Sequence, residues 1–254
     1  MEQLKSALGP FELFASIVGG APLAIAVCLI FNPAYTPYDL TLLVQNNLSG
    51  TAVLLLLFLS YILGGAIQGV TWRYFLALCK FFNHDYHYFR AELFKRSPAI
   101  NSANSAANPT SIQTSETDAT TDRPALEFED KLVLLLREQM GMPKNIDWLD
   151  ARLAAYLKAH DKASVTAAES HMANHIMYRN LSFGCVVLSA VMVINLFRAQ
   201  SLTFEQPVLT LLLLGLAYVT FFRSVSFKRW HQRDVVLGFY FTAKAKQDSH
   251  DNGD

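Results

Sequence analysis

The sequence predicts an all-α integral membrane protein, with four transmembrane helices in two hairpins, a small cytosolic helical bundle and amphipathic cytosolic helix extensions. Three observations carry that expectation. Residues 51–70, TAVLLLLFLSYILGGAIQGV, hold no charge over the roughly 20 positions a helix needs to cross a bilayer core. Three further apolar runs cover residues 11–31, 181–197 and 207–222. Basic residues return on one side of the runs, as the positive-inside rule requires of a cytoplasmic face.

Composition agrees with this assignment. Hydrophobic residues make up 52% of the chain, whereas charged residues are 17%, below the roughly 25% usual for soluble domains. Lys and Arg balance Asp and Glu at 21 each, so no global field argues for nucleic-acid binding, and none is expected. Cys28, Cys79 and Cys185 are odd in number, lack CxxC spacing and lie in or beside apolar stretches, which points to reduced packing residues rather than disulfides or a zinc ribbon.

The first transmembrane hairpin occupies residues 1–96, with spans at about 11–31 and 51–70 and a cytosolic extension. A secretory signal peptide is the competing reading of the first run. Its apolar core exceeds the usual stretch of about 7–15 residues and no A-x-A-like site follows, so an uncleaved span is expected. Gly19 and Gly20 stand four residues from Ala15 and Ala24, and Gly65 stands four from Gly69. Such spacings let helix backbones approach closely where lipid offers no hydrophobic drive, so these four glycines are the expected packing positions. Residues 32–50 contain no Lys or Arg, whereas Arg73, Lys80, Arg90, Lys95 and Arg96 follow the second span, placing the connection outside and the extension in the cytoplasm. Trp72 and Arg73 are the interfacial anchors, and the segment ALCKFFNHDYHYFRAELFK is expected to continue the helix as an amphipathic extension.

Residues 97–124, rich in Ser, Thr, Asn and Ala and interrupted by Pro98, Pro109 and Pro124, have the composition of a disordered linker. Residues 125–180 form the cytosolic helical region. There Leu132, Leu135 and Leu136 recur at helical spacing, Asp147 is the expected N-cap of a second helix, and Thr166-x-x-Glu169 reads as a capping box opening a third. That helix is expected to run directly into the second transmembrane hairpin, residues 181–222, with spans at about 181–197 and 207–222 and with Tyr178 and Arg179 as anchors. Residues 223–254 form an amphipathic cytosolic tail, anchored by Arg223 and Trp230.

Histidines are the main chemical candidates. His171 and His175 lie one helical turn apart on one face, and His84 and His87 lie on the earlier extension, so these four could supply metal ligands. The HxxxH spacing lacks the intervening glutamate that serves as general base in a zincin, which favours polar histidines on solvated or interhelical faces. No catalytic residue and no cofactor is expected, because the chain contains no P-loop, GxGxxG, GxSxG or EF-hand motif. No ionisable group stands at mid-bilayer in the spans; Gln68, Ser60, Ser189, Asn195 and Thr210 are the polar candidates there, expected to form interhelical hydrogen bonds.

The expected function is therefore non-enzymatic: a multi-pass protein of an inner or plasma membrane, both termini cytoplasmic. Its cytosolic helical domain binds a partner or signal and is coupled to a transmembrane bundle serving as anchor, channel or membrane-perturbing effector. The expected partners are the lipid bilayer and either another protein or further copies of this chain. The alternative is a membrane-interface metalloenzyme using the cytosolic histidines.

Overall fold

The computed structural model describes residues 10–32, 50–87, 128–140, 149–199 and 205–251. The expected linker, the Asp147 cap and most of the first loop lie outside the described residues. Among those described, all regular structure is α-helical: α1 (Pro10–Phe31), α2 (Gly50–Ala66), α3 (Gln68–Phe81), α4 (Phe128–Met140), α5 (Leu149–His160), α6 (Lys162–Ala199) and α7 (Glu205–Asp251). Three helices, α1, α6 and α7, are long and apolar enough to cross a membrane, and α2 with α3 makes a fourth if the bent pair counts as one span.

That bent pair corrects the sequence expectation for residues 51–70. Instead of one straight rod, the helix breaks at Ile67 and α3 leaves at 59° to α2. Gly64, Gly65 and Gly69 crowd the break, where missing side chains make the helical backbone least favoured.

The expected extension is helical as far as Phe81 but not over residues 82–87, for a local reason, and its remaining residues 88–95 lie outside the described residues. Asn83 adopts a left-handed conformation with φ of 51°; its N–H donates to Lys80 O at 3.3 Å and the His84 N–H donates to Cys79 O at 2.8 Å. This is a Schellman cap, which satisfies the last carbonyls of α3 and stops the helix at Phe81.

The chain divides into two compact units, the first comprising residues 1–86 and 167–231 and the second residues 87–166 and 232–254. The division falls within α6 and α7, so residues 167–180 belong with the first unit and residues 232–254 with the second, where the sequence reading drew other boundaries.

In the first unit α1 and α2 meet at glycines. A Cβ placed on Gly20 would lie 2.0 Å from Ser60 O, and one on Gly64 would lie 2.0 Å from Ser16 O, so the two backbones touch where neither residue carries a side chain. Gly184 of α6 admits the Pro22 ring of α1 in the same way, at 3.2 Å. One apolar cluster joins Ala26 and Leu29 to Leu188, Val191 and Met192; another joins Phe75 and Cys79 to Phe221 and Val225. Leu54, Leu55, Phe58, Leu211, Leu212 and Val219 remain exposed, which a helix in lipid can sustain and a helix in water generally cannot.

The second unit has its own small core. Leu132, Leu136, Leu149, Leu153, Leu157, Val235, Val236 and Phe239 are almost wholly buried, and Gly238 sits 3.2 Å from Leu157 Cδ1 for an ideal Cβ. The start of α6 differs from expectation. Asp161 is the N-cap, its Oδ1 accepting from the N–H groups of Ala163 and Ser164 at 3.1 and 3.2 Å. Thr166 lies inside the helix, its hydroxyl donating back to Lys162 O at 2.9 Å. The Asp161 cap starts the helix one turn before the Thr166-x-x-Glu169 pattern, and nothing between them breaks it. Hydrogen bonds from Ser164 hold the Asp161 carboxyl below its ordinary pKa.

Candidate functional site: a polar seam between two long helices

Within the first unit, α6 and α7 run antiparallel and touch through polar groups at a regular interval. Ser182 Oγ donates to Ala217 O at 2.8 Å, His175 meets Ser224, and His231 Nδ1 lies 2.8 Å from Ala168 O. These contacts fall every seven residues on each helix. Seven residues is two turns of a gently supercoiled pair, so one face of α6 stays against one face of α7 over four turns. Ser189 and Thr210 extend the same series, but each bonds the carbonyl four residues back in its own helix.

The middle contact is reciprocal. His175 Nδ1 lies 3.0 Å from Ser224 O, and Ser224 Oγ lies 3.2 Å from His175 O and 2.9 Å from His175 Nδ1. Both carbonyls are satisfied if the imidazole carries its proton on Nδ1 and donates to Ser224 O while the hydroxyl donates to His175 O. Both residues are fully buried. Around the imidazole stand Phe75 and Trp72 of α3, edge-on at ring-centroid distances of 5.0 and 6.2 Å. Arg179, one turn along α6, places its guanidinium 5.6 Å from the centroid of the same Trp72 ring.

Asparagines do the second part of the work. Asn180 Nδ2 donates to Gly64 O at 3.1 Å, and Asn180 Oδ1 accepts from Thr71 Oγ1 at 2.7 Å. Gly64 lies in the last turn of α2, whose carbonyls lack partners within the helix, and Thr71 lies in the first turn of α3. One side chain therefore holds both sides of the break. Gly19 makes room for it, since a Cβ there would lie 2.7 Å from Asn180 Cβ. Asn195 repeats the device at the end of α1, donating to Leu29 O at 3.1 Å. Beside the break, Ser16, Tyr61, Ile62, Gly65 and Gln68 line a cavity of about 290 Å³.

The residues singled out in the sequence have separate placements. Gly19 and Gly20 lie at close approaches, whereas a Cβ on Gly65 or Gly69 would meet nothing within 4 Å among the described residues; Gly64 takes the contact instead. Tyr178 stacks on Phe227 at 5.4 Å, and the Arg223 guanidinium lies over both Phe227 and Trp230. Arg73 is exposed. His171 packs against Phe227 and Trp230, His84 against Phe222, and His87 is half-buried in the second unit. Among the described residues no three His, Cys, Asp or Glu side chains come together to hold a metal ion. Of the polar span positions, Asn195 bonds across helices, whereas Ser60, like Ser189 and Thr210, bonds back within its own.

Asn180, Ser182, Ser224, Thr71 and Gly64 were not singled out from sequence. The seven-residue spacing of His175, Ser182 and Ser189, matched by Thr210, Ser224 and His231 at multiples of seven, was the available signal. Comparison with known proteins finds no matching family model, no matching curated protein and no matching solved structure.

Proposed function

We propose that the chain is a non-enzymatic multi-pass membrane protein in which the second unit binds a protein partner or signal and the first unit is the transmembrane effector coupled to it. The observation that carries this reading is the continuity of α6 and α7, each of which runs from one compact unit into the other without a break. A helix 38 residues long transmits rotation or tilt over many turns, so a partner that reorients its first turns moves the apolar part with it. On this reading the α2–α3 pair counts as one span, giving four in two hairpins. Both termini then lie in the cytoplasm of an inner or plasma membrane, the side on which Lys80, Arg223, Lys228, Arg229 and Arg233 accumulate.

The test separates binding from coupling. Asn174→Pro interrupts α6 inside the first unit, between the division at residues 166 and 167 and the apolar run that begins at about residue 181, by removing a hydrogen bond and clashing one turn back, at about 3 kcal/mol or more. In the full chain expressed in its own membrane, the variant should insert and should crosslink to the same proteins as the wild type, yet reproduce the phenotype of cells lacking the chain. Wild-type behaviour of Asn174→Pro would show that the spans are a passive anchor.

A further inference from the structure

Helix α3 lies across the α6–α7 pair rather than along it. Its first turns meet α6, where Thr71 Oγ1 donates to Asn180 Oδ1 at 2.7 Å and Tyr74 packs on Ser182 and Phe183. Phe75 meets both helices, at His175 and Phe221, and Phe82, just past the end of α3, meets Tyr218, Phe221 and Phe222 of α7. From Thr71 to Phe82 a helix advances about 16 Å. Along the pair there is almost no advance, because Ser182 faces Ala217 and His175 faces Ser224, so that Tyr218 and Phe222 lie at the level of Asn180.

That level is the edge of the apolar lengths: the uncharged run of α6 begins just beyond Arg179, and that of α7 ends just before Arg223. The flanks of α3 divide in the same sense. Tyr74 meets Ser182 and Phe183 on the apolar side, whereas Trp72 meets His175 and the Arg179 guanidinium on the charged side. The outward face is sorted alike. Val70, Ala77 and Phe81 share the stripe of Tyr74 at spacings of three and four, and Val70 and Phe81 are 55% and 80% exposed. Arg73 and Lys80, seven residues apart and both exposed, share the next stripe round, nearer the Trp72 flank. Neither cation has an ion-pair partner among the described residues. Thr71, Phe75 and Cys79 make the buried face.

We infer that α3 is an in-plane helix at the membrane surface whose outward face docks on anionic lipid headgroups, with Val70, Ala77 and Phe81 at the acyl-chain boundary and Arg73 and Lys80 on the phosphates. A helix with an apolar stripe beside a basic one lies flat at this boundary, and an anionic leaflet attracts its cations. α2, 17 residues long, then crosses alone at the short end of the range for a transmembrane helix, so the number of spans is unchanged. The inference rests on the membrane placement of the first unit and is independent of what the second unit binds.

The test places a spin label singly at Val70, Arg73, Ala77, Lys80 and Phe81 of the full chain, in vesicles of phosphatidylcholine and phosphatidylglycerol. A ketone-bearing residue carries the label and leaves Cys28, Cys79 and Cys185 in place. All five positions are exposed, so the packed face of α3 is untouched. Labels at Val70, Ala77 and Phe81 should sit at one depth and collide with oxygen, and labels at Arg73 and Lys80 should be shallower and reach an aqueous nickel chelate. Depth changing steadily from Val70 to Phe81, by up to about 16 Å, would mean that α3 continues the span and overturns the inference. So does a Phe81 label shielded from both reagents, which would mean that a protein covers the face. A label at Leu211, exposed on the apolar length of α7, separates the two levels of failure. Water exposure there overturns the membrane placement itself, whereas lipid exposure there beside a depth gradient along α3 overturns this inference alone. In the same vesicles, crosslinking of a phosphatidylglycerol with a photoreactive headgroup to residues 68–82 should fall about fivefold in Arg73→Gln and in Lys80→Gln. Undiminished crosslinking in both variants overturns the headgroup contact.

Discussion

His175 and Ser224 exchange hydrogen bonds across the α6–α7 seam, the imidazole Nδ1 at 3.0 Å from Ser224 O and the hydroxyl Oγ at 3.2 Å from His175 O. The pair fixes the rotation and the register of two long helices at once, because moving either helix by one residue separates both bonds. Ser224→Ala leaves the imidazole its bond to Ser224 O and removes only the return bond. It should therefore cost about 1 kcal/mol, the usual net worth of one buried hydrogen bond. Thermal unfolding of the purified chain in detergent, followed by near-ultraviolet circular dichroism, would measure the loss.

The glycines separate by location. Gly20→Ala drives a methyl group into the backbone of α2 at Ser60 and should destabilise the α1–α2 pair by about 1–3 kcal/mol, as overpacking generally does. Gly65→Ala meets open space and replaces a poor helix former by the best one, so it should be neutral or stabilising by up to about 1 kcal/mol. Parallel unfolding curves for the two variants would check the contrast, and equal destabilisation would contradict the placement of α2.

The bend at Ile67 rests on Asn180, and the stop at Phe81 rests on Asn83. Asn180→Ala strips Gly64 O of its side-chain donor, at about 1–3 kcal/mol for a buried group left unsatisfied, whereas the Thr71 hydroxyl can still donate to Gln68 O at 3.1 Å. Asn83→Val places a β-branched residue at a positive φ and should cost about 1–3 kcal/mol, whereas Asn83→Gly should be close to neutral. Spin labels on either side of Ile67 should show the angle between α2 and α3 widening in Asn180→Ala and unchanged in Asn83→Gly.

How much of this was legible in the sequence depended on the kind of signal. Uncharged apolar runs announced α1 and the apolar lengths of α6 and α7, because a run long and apolar enough to cross a membrane is the simplest signal to read from composition. The break at Ile67 was hidden, since Gly64, Gly65 and Gly69 also fit close helix packing, and a distant residue, Asn180, holds the bend. The end of α3 was hidden for a similar reason: an Asn in a left-handed cap carries no apolar periodicity. At the start of α6, Thr166 and Glu169 matched a capping pattern, but Asp161 lay one turn earlier with a side chain that caps as well. The seam itself was written in polar residues seven apart, a period legible only once α6 and α7 are known to face each other.

Asp161 gives the second unit a pH dependence of known sign. Its carboxyl is held below the ordinary aspartate range by Ser164, so the contribution to stability is complete above the unfolded-state pKa and is lost as pH falls through the lower folded-state value. Protection from hydrogen exchange in the first turn of α6, taken relative to the intrinsic rate at each pH, should therefore fall on acidification below the normal aspartate range. In Asp161→Asn, which keeps a capping acceptor without an ionisable group, that acid dependence should vanish.

The central claim is that α6 passes as one unbroken helix from the second unit into the first, and hydrogen exchange of the full chain in lipid nanodiscs tests it most directly. Peptides covering residues 165–180 should exchange as slowly as those covering residues 181–197. Rapid exchange confined to residues 165–180, beside a protected apolar stretch, would mean that the two units are joined by a flexible segment, and coupling through a continuous helix would be contradicted.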